Sequence, residues 1–436
     1  MLHKGVEVDT MVQWGVMATD YIVSRRRTRT LGLGRTIRKY NEDAVPGLGQ
    51  LRYLKQLLWP LMGLRIASRL KLKGVTIRKI VLANAIEAMA CLSGLLHHPP
   101  NGDYLPWEEH SWRIKGKQKL IGKKFCPFAV ARRSSFYVTQ PMRSGVVDPL
   151  SKLGLVNPDA GRFSGFEISE KGMNLLEASC AGSYDSLENY SYDSLENYFY
   201  TWVTDEKDFN STPAKAWLNP LLPPDPRACT LLLQLLCKDP KRTAALAWLR
   251  TISAQNVGWE SPPPQITPEH WHQIREGALF FEARDAALAV LTDIESQVDR
   301  SGKKAIRLQE APTDNIPILR QACQQFLDNK PTDDSAQEFC MNCLQEDSIA
   351  VIAYLLTREQ NVLTLADTVI CPGPSFRAGI ASDNPQDEEE TDEMIDEEEE
   401  SYNAEEKDSP FANLPYISYR LPNLYELQRD LEPTLG

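Results

Sequence analysis

The segment of residues 149–178 constrains the fold of this chain most tightly, because signals for a helix, two strands and a tight turn follow one another there. The first helix is predicted to end at Gly154, since glycine can adopt the left-handed conformation that terminates helices. Residues 157–161 are turn-favouring, and the apolar residues on either side of them have strand character. Ser169 then precedes the apolar positions of another helix. The segment therefore predicts a β-hairpin, or wing, between two helices.

This order of elements resembles the C-terminal half of a winged-helix domain, and the likeness extends to particular residues. Members of that family often read LGLV, then a charged wing, then LTEKG and a pair of leucines. Here residues 153–156 read LGLV and residues 168–176 read ISEKGMNLL. The resemblance is strongest over 149–178 and extends loosely over 76–178. It implies a DNA-binding module or, as the alternative, a winged helix that pairs with protein.

A winged helix that binds DNA inserts the helix before the wing into the major groove and touches the neighbouring groove with the wing. Pro149 lies within that reading helix, so we expect the helix either to begin at Pro149 with Asp148 as its cap or to be kinked. The residues that the resemblance implies at DNA are Gln140, Arg143, Ser144 and Lys152 on or near the reading helix, Arg162 in the wing, and Arg132 and Arg133 at phosphates.

Charge is distributed unevenly along the chain, although the net charge is only −11. Residues 1–180 contain 28 Lys and Arg against 14 Asp and Glu, whereas residues 181–436 contain 20 against 45. A basic region attracts phosphates whatever the charge of the rest of the chain. We interpret the basic half as a nucleic-acid-binding region, with attraction between the halves or pairing with protein as the alternative. Within it, residues 102–124 combine Trp with Lys, which suits strands that touch a nucleic-acid backbone or a hairpin with one solvated face.

The apolar periodicity predicts a mainly α-helical protein with a small β-wing, divided into a basic N-terminal half and a helical second domain. The predicted divisions are a basic region at 1–180, a linker at 181–200, a helical domain at 201–366, an acidic disordered tether at 383–408 and a C-terminal docking tail at 411–436. The octapeptide SYDSLENY occurs twice, at 183–190 and 191–198. We interpret it as a duplication in a tolerant linker or as a tyrosine-containing docking motif.

The two C-terminal segments contrast sharply in composition. Residues 383–408 carry 15 acidic residues and one Lys, and such a segment cannot bury enough apolar surface to fold. Residues 411–436 regain aromatic and aliphatic side chains, which gain free energy when they leave water. We therefore expect the tail either to fold back on the helical domain or to dock on a partner protein.

No constellation of residues predicts catalysis or a bound metal. Cys340 and Cys343 form the one CxxC of the sequence, but a structural zinc site takes four ligands and no second pair follows at a suitable spacing. We interpret them as core thiols, with a redox or metal role as the alternative. His270 and His272 are two residues apart, which places them on different faces of a helix. The sequence thus predicts a protein that is not an enzyme and binds no cofactor or metal.

The composition is typical of a cytoplasmic protein. No apolar run reaches the roughly 18 residues of a membrane span, the N-terminus lacks a secretion signal, and the nine cysteines follow no disulfide framework. We therefore expect no membrane partner.

The whole chain resembles accessory subunits of bacterial multi-gene defence or chromosome-associated systems. That resemblance is one of general organisation, in which a winged-helix protein bridges DNA and another protein. We expect a non-enzymatic adaptor or regulator of an antiviral defence complex, whose winged helix contacts double-stranded DNA and whose residues 383–436 contact a partner protein. The alternative is a scaffold subunit of an ATPase or nuclease complex, in which the winged helix pairs with protein.

Overall fold

The computed structural model describes residues 29, 31–96, 107–158, 162–180, 191–205, 207–252, 257–300, 305–376 and 410–432, which form a mainly helical fold with two small sheets. The helices of the N-terminal half are α1 (Gly34–Ala44), α2 (Lys55–Leu72), α3 (Lys79–Leu96), α4 (Trp107–His110), α5 (Lys117–Leu120), α6 (Phe128–Ala131), α7 (Met142–Gly145), α8 (Val147–Lys152) and α9 (Glu170–Ala178). The remaining helices are α10 (Tyr192–Thr204), α11 (Thr212–Leu218), α12 (Pro226–Leu236), α13 (Pro240–Leu249), α14 (Pro268–Arg300), α15 (Ile316–Asp328), α16 (Asp334–Cys343), α17 (Ser348–Glu359) and α18 (Arg420–Leu431). The strands are β1 (Val156–Pro158), β2 (Phe166–Ile168), β3 (Ile306–Arg307), β4 (Leu363–Ala366) and β5 (Val369–Pro372), with β5 between β3 and β4 in an antiparallel sheet.

The hairpin predicted for residues 149–178 is present. β1 and β2 pair antiparallel, with Val156 opposite Ile168, and the hairpin lies between α8 and α9. Gly154 takes a positive φ of 71°, and Ser169 caps α9 by accepting the Gly172 N–H at 3.2 Å. The turn residues 159–161 lie outside the described part of the chain.

The reading helix begins earlier than expected. α8 starts at Val147, with Val146 as its cap and no capping side chain. Pro149 is therefore the third residue of the helix, where no backbone N–H is needed for a helical hydrogen bond. The expectation that the helix begins at Pro149 with Asp148 as its cap was wrong, because a proline in the first turn does not displace the start of a helix.

Two hydrophobic cores hold the fold together. The first core gathers apolar residues from 44–92, 114–274 and 411–431, and the second core gathers those from 31–40 and 280–370. Helix α14 belongs to both, because Ile274 packs in the first core and Phe280 in the second. The two cores are therefore joined by a continuous helix.

The cores divide the chain at different positions from the predicted segments. Residues 191–198, the second copy of the octapeptide, form the start of α10, and Leu195 and Phe199 are fully buried in the first core. Helices α11, α12 and α13 also pack in this core, together with the basic half. The physical reason is that α10 places its apolar residues on one face, against α2.

The C-terminal segment folds back on the chain, which is one of the two alternatives that its composition left open. Leu421, Leu424 and Leu427 are fully buried in the first core, and α18 packs against α1, α12 and α13. Arg420, itself fully buried, forms an ion pair with Glu42 at 2.5 Å. The predicted acidic tether at 383–408 lies outside the described residues.

Helix α3 is the one helix within the described ranges that is long and apolar enough to cross a membrane, by length and composition alone. In this fold 67% of its 18-residue window is buried inside the protein. It packs against α2 and α11 and contacts the wing region at Phe163–Gly165.

Candidate nucleic-acid interface

Four of the seven residues that the winged-helix resemblance places at DNA have exposed side chains. Arg132 and Arg133 follow α6, Lys152 ends α8, and Arg162 precedes the wing strand β2. None of the four forms an ion pair with another residue in the described ranges. Their charges are therefore available to an anionic ligand.

Arg143 lies inside the protein, with 7% of its surface exposed. Its Nε donates to Asn84 Oδ1 at 2.9 Å, and its guanidinium lies 4.7 Å from the centre of the Phe163 ring. Arg143 therefore joins α7 to α3 and to the wing, which differs from the DNA contact that the resemblance implies. Gln140 and Ser144 are half-buried, and the Ser144 hydroxyl donates to a carbonyl three residues earlier at 2.6 Å.

A buried carboxylate accepts hydrogen bonds from the first residues of α7. Glu87, on α3, accepts the backbone N–H groups of Met142 (2.6 Å) and Arg143 (2.9 Å) and the Tyr137 hydroxyl (3.0 Å). Burial raises the pKa of Glu87, while the two backbone N–H groups act against that rise. A lone carboxylate within the apolar sequence of α3 is the signal that could have predicted a buried acceptor here.

One side of α8, the helix before the hairpin, is covered by other parts of the chain. The Gln50 N–H donates to the Gly145 carbonyl at 2.8 Å, just before α8, and Arg420 lies 3.8 Å from Asp148 within α8. Helix α8 has only six residues. It therefore exposes Lys152 at its end but lacks the long free face with which a recognition helix reads base edges.

A group of positive charges, most of them exposed, lies on two adjacent segments that we call the cationic ridge: Lys119, Lys123, Lys124, Arg132 and Arg133. The ammonium of Lys123 donates to the Phe136 carbonyl at 2.5 Å, so the segment after α5 lies against the segment after α6. Burial lowers the pKa of Lys123 and the neighbouring Lys119 lowers it further, whereas Cys126 acts against that shift.

The stretch of sequence that contains the ridge has no acidic residues. Residues 110–147 contain nine Lys and Arg and no Asp or Glu. Lys119, Lys124, Arg132 and Arg133 are exposed and form no ion pair with any described residue. The prediction of strands or a hairpin for residues 102–124 was wrong for the described part of that range, since residues 117–120 form α5.

Most of the cysteine and histidine candidates are buried side chains. Cys340 and Cys343 are fully buried in the second core, where a hydrogen bond to Cys323 and burial raise the pKa of both thiols. His270 is buried and its Nε2 lies 2.9 Å from the Ala44 carbonyl, while His272 is half-exposed. In the described ranges no three His, Cys, Asp or Glu side chains are grouped so that they could hold a metal ion.

The chain matches no family model, no curated protein and no solved structure. Its function is therefore inferred from its own residues and their geometry.

Proposed function

We propose that this protein is a non-enzymatic, cytoplasmic adaptor that binds double-stranded DNA through contacts of the cationic ridge with phosphates. The observation that supports this proposal is the acid-free stretch 110–147, whose exposed cations have no acidic partner in the described part of the chain. Lys and Arg side chains that neutralise phosphates release counterions and so provide affinity without reading sequence.

The wing extends the proposed contact. Arg162 is exposed at the start of the second half of the hairpin, and Lys152 is exposed at the end of α8. Phosphate contacts position a protein on a duplex, whereas base contacts specify the sequence. Because α8 is short and partly covered, the proposal assigns these residues to positioning, and DNA sequence preference is expected to be weak.

The adaptor part of the proposal concerns the acidic segment 383–408. Residues 410–432 are packed in the first core, so the proposed contact with a partner protein belongs to the residues before them. A run of 15 carboxylates would attract a basic partner surface and would also compete with DNA for the ridge. A place in a multi-gene defence complex is proposed from the general organisation of the chain alone.

The test is duplex binding across a salt series with the full chain and with a variant that lacks residues 383–408. The logarithm of the binding constant should fall with the logarithm of salt concentration, with a slope of about −0.9 for each phosphate contacted. The double variant Arg132→Ala/Arg133→Ala should flatten that slope by about 1.8. The matched control is Arg275→Ala/Arg307→Ala, which removes two exposed arginines that lie outside the ridge, on α14 and β3.

Two results would contradict the proposal. One is the absence of duplex binding at low salt after residues 383–408 are removed. The other is an equal change of slope in the ridge variant and in the control variant, since that would make the effect one of net charge alone.

The second candidate function is a protein–protein scaffold, and one surface favours it. Leu72, at the end of α2, is 87% exposed, and Val75, in the turn before α3, is 43% exposed. Exposed apolar side chains mark binding surfaces when they cluster. If Leu72→Ser releases a co-purifying protein while DNA is not bound at any salt concentration, the scaffold is the better account.

A further inference from the structure

A cleft of about 420 Å³ opens beside the cationic ridge. It is formed by the second half of α10 and by the loop that leads to α11. Its lining residues are Tyr198, Thr201, Trp202, Lys207, Asp208 and Asn210.

The aromatic floor of the cleft is rigid. Trp202 is 2% exposed, and its ring meets the Phe209 ring edge-on with the centres 5.1 Å apart. The Tyr198 hydroxyl accepts the backbone N–H groups of Asn210 at 2.8 Å and Ser211 at 3.0 Å. These bonds hold the loop against α10, so the cleft is formed before any ligand arrives.

The cleft and the cationic ridge share a wall. The Trp202 Nε1 donates to the Cys126 carbonyl at 3.0 Å, and the Phe125 ring stacks on the Phe209 ring with the centres 6.0 Å apart. Phe125 follows Lys124 of the ridge directly in sequence. A strand whose phosphates lie on the ridge therefore has the cleft within reach of its bases.

One charged group at the rim forms no hydrogen bond or ion pair within the described ranges. Asp208 is exposed, and its carboxylate forms no hydrogen bond or ion pair with any described residue. Lys207 pairs instead with Asp205, at 3.6 Å. A free carboxylate next to a phosphate-binding surface would repel phosphates, so it suits a ligand group that donates hydrogen bonds.

Among the bases of DNA, guanine is the one with two adjacent N–H donors on its Watson–Crick edge, and a carboxylate can accept both together. We propose that the cleft binds the base of an unpaired guanine nucleotide, with Asp208 accepting the two N–H groups and Tyr198 contacting the face of the ring. Aromatic side chains bind unstacked bases in this way in proteins that hold single strands. The inference rests on the proposed function, because the ridge is what holds the strand.

The test compares single strands of about 12 nucleotides, a length typical of one single-strand binding site. One strand is all thymidine, one carries a single central guanine and one a single central adenine; free guanosine monophosphate is a fourth ligand. The wild-type protein should bind the guanine strand about tenfold more tightly than the other two, which is the usual size of one bidentate base contact.

Asp208→Asn should abolish that preference and should leave binding of the all-thymidine strand unchanged or slightly stronger, since it removes a negative charge. Asp205→Asn is the matched control, because Asp205 is an exposed carboxylate of the same loop that does not line the cleft. It should keep the preference for guanine.

The outcomes separate this inference from the proposed function. If the wild-type protein binds all strands equally, or Asp208→Asn strengthens all of them equally, the guanine site is overturned while nucleic-acid binding stands. If no strand binds even to the variant that lacks residues 383–408, but guanosine monophosphate does and Asp208→Asn abolishes that, the cleft is a nucleotide site and the ridge proposal fails. If that variant binds neither the strands nor guanosine monophosphate, both fail.

Discussion

The two cores of this protein are closed in different ways. In the first core a buried ion pair joins residues that are far apart in sequence: Arg113 and Asp430 are each 3% exposed and lie 2.5 Å apart. The second core is mostly one continuous stretch, with aromatic contacts such as that between Phe280 and Phe326 at 5.5 Å. The second core also takes in a distant segment, residues 31–40, and there the Tyr40 hydroxyl donates to the buried Glu276 carboxylate at 3.0 Å. The comparison teaches that polar groups fix the segment that returns from far away in both cores, through a buried ion pair in the first core and through a hydrogen bond in the second.

The largest expected effect is on the first core, from Asp430→Ala. Asp430 also accepts the Leu54 N–H at 2.9 Å, so the change leaves both a buried guanidinium and a buried N–H without their acceptor. We expect a loss of about 3–5 kcal/mol in the free energy of unfolding, measured by denaturant titration. Glu432→Ala is the control, because its partner Arg250 is exposed, and it should cost less than about 1 kcal/mol. Equal losses in the two variants would show that burial does not make the Arg113–Asp430 pair more important than an exposed pair.

The second core should respond to the size of its side chains. Phe326 is fully buried and contacts the Tyr40 and Phe280 rings, so Phe326→Leu removes ring contacts and leaves a cavity. We expect a loss of about 2 kcal/mol that does not change between pH 6 and pH 9, in denaturant titrations at both pH values. A strong pH dependence of that loss would mean that charged groups also hold this core.

A buried lysine should make the first core sensitive to pH. The pKa of Lys55 is lowered to about 7, chiefly by burial; Asp430 acts against this shift and Arg113 adds to it. Its Nζ donates to the Asn219 carbonyl at 2.7 Å. In the unfolded chain the pKa of lysine is about 10.4, so between pH 7 and pH 10 the unfolded state holds the proton that the folded state has lost.

Stability should therefore rise with pH in that window, by up to about 1.4 kcal/mol per pH unit from this group. The quantity to measure is the difference between the wild-type protein and Lys55→Met, because it cancels the titration of the other groups. A difference that stays constant from pH 7 to pH 10 would show that Lys55 remains charged in the fold.

The smallest expected effect concerns the cationic ridge. Arg132→Ala/Arg133→Ala should change the free energy of unfolding by no more than about 0.5 kcal/mol, since both side chains are exposed. Arg143→Ala should cost about 1–3 kcal/mol, because it leaves Asn84 without its donor and removes the stack on Phe163. Thermal unfolding of the three proteins checks both values. If Arg143→Ala is neutral, its burial is not what stabilises the wing module.

Local signals predicted local structure well. The wing followed from Gly154 and Ser169, and the long helix α14 begins at Pro268, directly after Thr267, as a proline in the first turn predicts. The mainly helical class is confirmed by the same kind of periodic evidence. Each of these features is decided by residues that are neighbours in sequence.

The candidate site was predicted only in part. Arg132 and Arg143 are equivalent as sequence letters, and only the distant partners Asn84 and Glu87 decide that Arg143 is buried. The cleft that contains Asp208 depends on the packing of α10 against the segment around Cys126. The periodicity of apolar residues does not predict such a long-range contact. Fold-back of the tail was one of two open alternatives. Apolar composition predicts that a segment will be buried, but it does not identify the surface on which the segment packs.

The position of α18 in the first core has a consequence for synthesis of the protein. Residues 280–376 leave the ribosome together and can close the second core while the chain is still growing, since domains fold as their residues emerge. The first core must wait for Asp430, although most of its residues were made long before. A truncated mRNA should therefore yield a chain whose first core stays unfolded. Chaperones and proteases recognise such a chain, so that only fully translated molecules accumulate.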